Sequence, residues 1–334
     1  MAILAASVAA RSARLLSAGA FALLASGFAA HAETRSLDEL LSAIVRVKTT
    51  IEPDARTADS LGREREGSGV VIDGDGLVLT IGYLMVEART AEIGTKDGRT
   101  VPAAVVGYDH ETGFGLLRGL VPLKVAPIAF GRSADVKEAD PVLVASAGGA
   151  AMVQPARVVA KREFAGSWEY LVGEALFTAP PHPAWSGAAL INRDGRLVGI
   201  GSLIVGDAAA GTPGNMFVPT DGLHPILGDL LAAGRVSGPG RPWLGVAVVR
   251  GALVVGRVTP GGPAEQAGVR AGDTIVAVNG ESVGGTLAAF YRKVWAQGGA
   301  GAVVTLELSR SDETRRVEVR SMNRLDHLRL KSSL

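Results

Sequence analysis

Hydrophobic positions along this chain alternate with polar ones in short stretches, and few runs keep helical spacing for long. In residues 37–48, Leu37, Leu40, Leu41 and Ile44 fall at helical spacing and then Val45 and Val47 alternate, which predicts a short amphipathic helix running into a strand. The polar stretch 49–67 predicts a loop. After it come compact strand-turn-strand units, the first pairing residues 69–72 with 77–80 across Asp73-Gly74-Asp75-Gly76, where Asp-Gly pairs supply the positive φ that hairpins need. Similar strands are predicted at 91–93, 101–106, 142–146, 156–159, 176–178, 190–191 and 197–204, with turns near Asp97-Gly98 and Asp194-Gly195. Strands at this spacing predict a sandwich or barrel. A helix over 222–233 closes the region, Gly234 is placed to cap it, and Gly238-Pro239-Gly240 makes a linker.

Beyond the linker, strands at 244–249, 253–258, 274–278 and 303–309 surround one helix over 286–297, a unit large enough to fold as a small domain. The expected organisation is therefore a leader at 1–32, a first domain at 33–235, a linker at 236–240, a second domain at 241–321 and a tail at 322–334. No solenoid-type repeat is present.

A chain of 334 residues that is 47% hydrophobic can bury a core in each of two domains. Its 44 glycines and 5% aromatics favour short strands packed with Val, Leu, Ile and Ala over long helices. The formal charge of +1 implies no nucleic-acid partner. Arg324, Arg329 and Lys331 around Asp326 predict a frayed, solvated end. The absence of cysteine excludes disulfides, thiolate metal sites, a cysteine nucleophile and a lipidated cysteine anchor, and nothing points to a metal or organic cofactor. At the N-terminus, Arg11 and Arg14 precede an apolar run over 15–30 that ends in Ala30-His31-Ala32, a small-x-small pattern. This predicts a signal peptide cleaved after Ala32, hence export to a periplasm or beyond it, and not a stable membrane span, because the run is short and holds Ser17, Gly19, Ser26 and Gly27.

Four stretches of the first domain carry a resemblance. Gly67-Ser68-Gly69-Val70-Val71-Ile72 with Asp75-Gly76-Leu77-Val78-Leu79-Thr80 resembles the strand pair leading to the catalytic histidine of HtrA/Deg serine proteases. The segment Tyr108-Asp109-His110-Glu111-Thr112-Gly113-Phe114 is similar to the one bearing the catalytic aspartate. The segment Trp185-Ser186-Gly187-Ala188-Ala189-Leu190 resembles the nucleophile loop, and Asn215-Met216-Phe217-Val218-Pro219 the strand before the closing helix. The fold this implies is mainly β: a trypsin-like pair of six-stranded antiparallel barrels followed by a PDZ domain.

The departures from the family pattern bear directly on chemistry. A serine hydroxyl needs a base to accept its proton, and that base must be held by a third group. Where the family has histidine this sequence has Tyr83, a phenol with an ordinary pKa of about 10 that is no ready base at neutral pH. The aspartate position is Gly113, which carries no side chain. In the nucleophile loop the family's Gly-x-Ser-Gly-Gly becomes Ala184-Trp185-Ser186-Gly187-Ala188, so the N–H groups of Ala184 and Ser186 are the candidate oxyanion hole, with Ala184 restricting the turn. His110 and His182 are the remaining mature-chain histidines near these motifs, and both are expected to be partly exposed loop residues. Losing triad members costs up to about 10⁶ in turnover and leaves about 10³ to 10⁴ over water. Ser186 is accordingly expected to be a remnant nucleophile.

The second domain resembles the family's PDZ modules through Arg241-Pro242-Trp243-Leu244-Gly245-Val246, Val258-Thr259-Pro260-Gly261-Gly262-Pro263-Ala264 and Ala267-Gly268-Val269-Arg270-Ala271-Gly272-Asp273. Such a module adds a peptide strand to an exposed edge and catches its terminal carboxylate on loop N–H groups. Here those groups belong to Leu244, Gly245 and Val246, with Arg241 a candidate nearby positive charge; Leu287, Phe290 and Val294 form the core face of the helix. The resulting expectation is a degenerate protease homologue of the envelope that binds peptide C-termini or unfolded segments. The alternatives are an active serine endopeptidase using Ser186 with an unconventional base, and a scaffold that positions the PDZ domain in an assembly. The resemblance implies a homotrimer, although residues 33–67 hold no Phe, Tyr or Trp for aromatic trimer contacts.

Overall fold

The computed structural model describes residues 36–330 apart from 250, 252 and 312. The expected leader with its cleavage after Ala32, and Lys331, lie outside the described residues. As the change of period predicts, α1 (Leu37–Ser42) runs into β1 (Ile44–Ile51), and Val45 and Val47 are fully buried. A short α2 (Ala58–Leu61) leads to β2 (Glu64–Val71), β3 (Leu77–Ile81), β4 (Ala88–Gly94), β5 (Thr100–Tyr108) and β6 (Phe114–Gly119). These strands close a barrel in the order β1-β2-β3-β6-β5-β4. Leu79, Phe114, Leu116 and Leu117 are fully buried in the core around it, each contributing on the order of 1.5 to 3 kcal/mol.

The loop expected over 49–67 is largely ordered, with Thr50 of β1 opposite Glu64 of β2. Hydrophobicity does not mark this pairing because its inward positions are polar. Thr49 and Arg65 are both buried, and the Arg65 guanidinium donates to the carbonyls of Tyr83 (2.8 Å) and Val86 (3.1 Å).

The second barrel comprises β7 (Pro141–Ala145), β8 (Val153–Gly166), β9 (Tyr170–Ala179), β10 (Ala189–Ile191), β11 (Leu197–Ala209) and β12 (Thr212–Pro219), closed in the order β10-β11-β12-β9-β8-β7. Strands β8 and β9 run well past the short segments that alternation predicts, and the turn Ser167–Glu169 that joins them reaches the second domain. The closing helix is shorter than expected: α3 covers only Leu227–Ala233. Pro225 disfavours α-helix at its own N-terminal side, so Thr220–Gly222 form a short 3₁₀ helix and residues 223–226 form turns instead. Gly234 caps α3 in the left-handed region, φ 71°.

The second domain has β13 (Val246–Val249), β14 (Val254–Val258), α4 (Pro263–Gln266), β15 (Thr274–Val278), β16 (Glu281–Ser282), α5 (Leu287–Trp295), β17 (Val303–Arg310) and β18 (Glu313–Arg320). Its sheet order is β13-β14-β15-β17-β18, with β16 beside β15. Leu287, Phe290 and Val294 of α5 are buried in its core, as their spacing predicts.

The described part of the C-terminal segment, residues 324–330, is not frayed, contrary to the expectation from its charges. In α6 (Arg324–His327), His327 is buried and packs on Trp243 at 4.9 Å, while Leu325 and Leu328 lie against the first-barrel core. The Arg329 N–H donates to Glu87 at 2.8 Å. Two partly buried leucines and a buried ring between the basic residues outweigh the solvation of the charges. Among the described residues no helix is long and apolar enough to cross a membrane.

Candidate functional site

Ser186 lies where the two barrels meet, because its carbonyl accepts from Ser68 N–H of β2 at 2.8 Å. A Cβ on Gly67 would stand 2.7 Å from that carbonyl and 3.1 Å from Ser186 Oγ, so the close approach requires glycine there. The Ser186 hydroxyl is buried and has no hydrogen-bond partner among the described residues.

Tyr83 occupies the turn directly after β3, in a single 3₁₀ turn, Gly82–Leu84. Its phenol donates to the Ser202 carbonyl of β11 at 2.9 Å. Burial pushes the phenol up to about 12, and the nearby Ser186 and Trp185 only temper that rise. The Ser186 hydroxyl is thus close to Tyr83 without completing a well-formed hydrogen bond. A protonated phenol already donating elsewhere has no lone pair basic enough to draw a proton from serine at neutral pH.

Gly113 adopts φ +81°, and its carbonyl accepts from Gly82 N–H at 2.7 Å, which keeps the two triad positions adjacent. The space an aspartate side chain would enter is filled: a Cβ on Gly113 would lie 2.9 Å from the Tyr170 hydroxyl. That hydroxyl donates to the Thr112 carbonyl at 2.7 Å. Tyr170 is buried, and burial raises its pKa far above the ordinary phenol value.

Neither histidine faces Ser186, and the expectation of a partly exposed loop residue holds for His110 but is corrected for His182. His182 is buried, with its backbone N–H on Asn215 Oδ1 (2.6 Å) and its Nδ1 accepting from Ala184 N–H (3.1 Å). Burial lowers its pKa, while contacts with the backbone of Met152 and Ala184 oppose the shift. One of the two candidate oxyanion N–H groups is therefore spent on an imidazole. The Ala184 carbonyl is likewise fixed, accepting from Ser146 Oγ at 2.5 Å. His110 is half-buried, with Tyr108 Oη 3.2 Å from Nδ1 and Arg324 Nη1 2.9 Å from Nε2. Burial and then the Arg324 charge hold it well below its usual pKa, so it stays neutral. Asp109 serves its own turn, accepting from Thr112 N–H and Oγ1 at 2.7 Å each.

In the second domain the N–H groups of Leu244, Gly245 and Val246 do converge on a carboxylate, and it is the chain's own. Glu169, at the tip of the β8–β9 hairpin, accepts from Leu244 on Oε2 (2.8 Å) and from Gly245 (2.7 Å) and Val246 (2.9 Å) on Oε1. Gly245 holds φ +83°, the left-handed conformation that turns successive N–H groups to one side. Arg241 sits elsewhere, paired with Glu111 at 2.9 Å and lying over the Trp295 ring at 4.3 Å.

Glu169, Tyr170 and Arg324 were not legible as site residues. The available hint was Trp168-x-Tyr170 in a chain with few aromatics, whose rings stack at 5.7 Å.

Two closed antiparallel barrels with a serine at their junction, joined to a sheet domain with a carboxylate-binding loop, define a trypsin-like fold linked to a PDZ domain. The family model for a trypsin-like peptidase domain matches residues 67–200, and that for a PDZ domain residues 254–310, just beyond the carboxylate loop. The chain belongs to the HtrA/Deg family of trypsin-like serine proteases with a C-terminal PDZ domain. Serine protease PepD of Mycobacterium tuberculosis is 28% identical over 284 residues, covering 75% of this chain. Periplasmic pH-dependent serine endoprotease DegQ of Escherichia coli is 28% identical over 271 residues, covering 76% of it. The chain spans 58% of the length of each of these relatives. Among solved structures, the HtrA-type protease AlgW with decapeptide shares the fold at a TM-score of 0.52 and 20% identity, covering 89% of this chain and 100% of that one.

Proposed function

We propose that this chain is a catalytically degenerate HtrA/Deg protein of the cell envelope, which binds peptide C-termini or unfolded segments through its PDZ domain and does not cut them. The observation that carries this reading is the Tyr83 phenol, which stands at the base position and donates its hydrogen bond to the Ser202 carbonyl, leaving Ser186 Oγ with no acceptor. The filled aspartate position and the Ala184 N–H held by His182 support it from two further sides. An envelope location is supported by periplasmic relatives, DegQ of Escherichia coli and a DegP-like endoprotease of Marinomonas, and by the signal-like N-terminal segment. A carboxylate loop of three converging N–H groups supports peptide binding.

Incubation of the purified protein with casein tests the reading against the endopeptidase alternative. No cleavage above that of Ser186→Ala is expected. Cleavage that Ser186→Ala abolishes would establish a working nucleophile and end the degenerate reading.

A further inference from the structure

Recognition of a peptide by a PDZ domain has two parts: a carboxylate held by loop N–H groups, and main-chain hydrogen bonds along the neighbouring strand edge. The β8–β9 turn makes both kinds of contact within this chain. Glu169 fills the carboxylate loop with three backbone donors on its two oxygens. Two residues earlier, the Ser167 carbonyl accepts from Val248 N–H of β13 at 2.9 Å. From the opposite wall, Tyr291 of α5 donates to the Gly166 carbonyl (2.6 Å) and accepts from Glu169 N–H (3.2 Å). Ala165 and Leu171 on the hairpin pack against the PDZ core, Arg292 of α5 pairs with Glu163, and Arg324 donates to the Trp168 carbonyl at 3.3 Å.

The backbone at Glu169 is itself unusual. It holds φ +59°, a left-handed conformation that is unfavourable for a non-glycine residue, and this directs a buried carboxylate into the loop. Such a conformation persists where surrounding contacts over-determine it, and the contacts here are those of a bound ligand.

We infer that the PDZ groove of this chain takes its own hairpin tip, Ser167 to Glu169, as an internal ligand with a glutamate side chain in place of a peptide terminus, and that an external carboxylate binds only in exchange for Glu169. The second clause rests on the peptide-binding reading above; the first does not. One carboxylate saturates all three N–H groups, so the two ligands exclude each other. The apparent affinity for a peptide is then reduced by the fraction of molecules in which the tip is released. A cleft of about 670 Å³, lined among others by Glu169, Arg241, Trp295 and Arg324, opens beside the tip and gives an incoming chain a route to it.

Hydrogen exchange read by mass spectrometry over residues 244–248, in the purified full-length chain, tests the internal ligand. Glu169→Ala should speed exchange there at least about tenfold relative to wild type. Glu169→Gln, which keeps the side-chain volume, should speed it to a lesser degree and is the variant to use if the alanine variant folds poorly. Equal protection in the wild type and in a folded variant overturns the inference. In parallel, a decapeptide pool with free C-terminal carboxylates on Ala, Val, Leu or Phe is titrated against the same proteins, with the amidated pool as control. Tighter binding of the free-acid pool by Glu169→Ala supports exchange, and equal affinity for wild type and variant overturns it. Loss of protection in the variants with no peptide bound by any of them upholds the internal ligand and discards the peptide-binding reading alone.

Discussion

Replacing Gly113 by aspartate, which would put a carboxylate back at the family's aspartate position, is expected to destabilise the protein and not to repair it. Three costs add up. The backbone there is left-handed, φ +81°, a conformation that costs aspartate about 1 kcal/mol. The new Cβ would stand 2.9 Å from the Tyr170 hydroxyl, and because Tyr170 is buried the ring moves only by giving up its bond to the Thr112 carbonyl, about another 1 kcal/mol. The carboxylate is then buried with no cationic or imidazole partner at position 83, which adds about 1 to 3 kcal/mol. A total of about 3 to 5 kcal/mol lowers the melting temperature by roughly 5 to 8 °C in a protein of this size. Thermal unfolding by circular dichroism measures it, and Tyr170→Phe supplies the control. Removing the clashing oxygen leaves the ring at 3.5 Å, so Gly113→Asp should cost at least about 1 kcal/mol less in the Tyr170→Phe background than alone. An unchanged melting temperature for Gly113→Asp, or strict additivity in the cycle, refutes the claim that Tyr170 has closed the aspartate site.

The hydroxyl of Ser186 is buried without a partner, so Ser186→Ala should leave stability unchanged or raise it by up to about 1 kcal/mol, and a clear drop in melting temperature would mean the hydroxyl has a partner after all. Tyr83→His alone should give no casein cleavage, because the new imidazole lacks an orienting carboxylate and the Ala184 N–H remains on His182; cleavage by the single variant would contradict that account. Burial pushes the Glu169 carboxyl up to about 7 in spite of its three N–H donors and Arg324, against an ordinary value near 4.5 once released. The docked tip therefore binds a proton more tightly than the free one: docking is fully supported below about pH 4.5 and weakens as pH rises through about 7. The groups facing it are Arg324 from the C-terminal segment and Tyr291 from α5, with neutral His110 beyond Arg324, so Glu169 is the group that titrates in this range. Exchange over residues 244–248, corrected for intrinsic rate, should rise between about pH 5 and about pH 8 in the wild type and not in Glu169→Gln; the same rise in both would remove Glu169 as its cause.

Much of the double barrel and the PDZ sheet was legible, because apolar alternation and Asp-Gly turns record strands whose two faces differ in burial. Val45 and Val47, or Leu287, Phe290 and Val294, report their environment through their spacing. The pairing of Thr50 with Glu64 did not show, because polar side chains satisfied by buried carbonyls carry no hydrophobic signal. The loss of the base and the aspartate was visible as Tyr83 and Gly113. What replaced them was not: Tyr170 is 57 residues downstream of Gly113, and only the closed second barrel brings them together. The same holds for Glu169 and Gly245, whose meeting depends on how far β8 and β9 extend. One hairpin tip thus fills both the vacated aspartate position and the carboxylate loop.

The most direct measurement is labelling of the native protein with a fluorophosphonate, followed by intact mass. A serine whose proton has no acceptor should gain no adduct under conditions that modify an active serine protease fully. One adduct per chain, absent from Ser186→Ala, would show that a base reaches the Ser186 oxygen and would contradict the account.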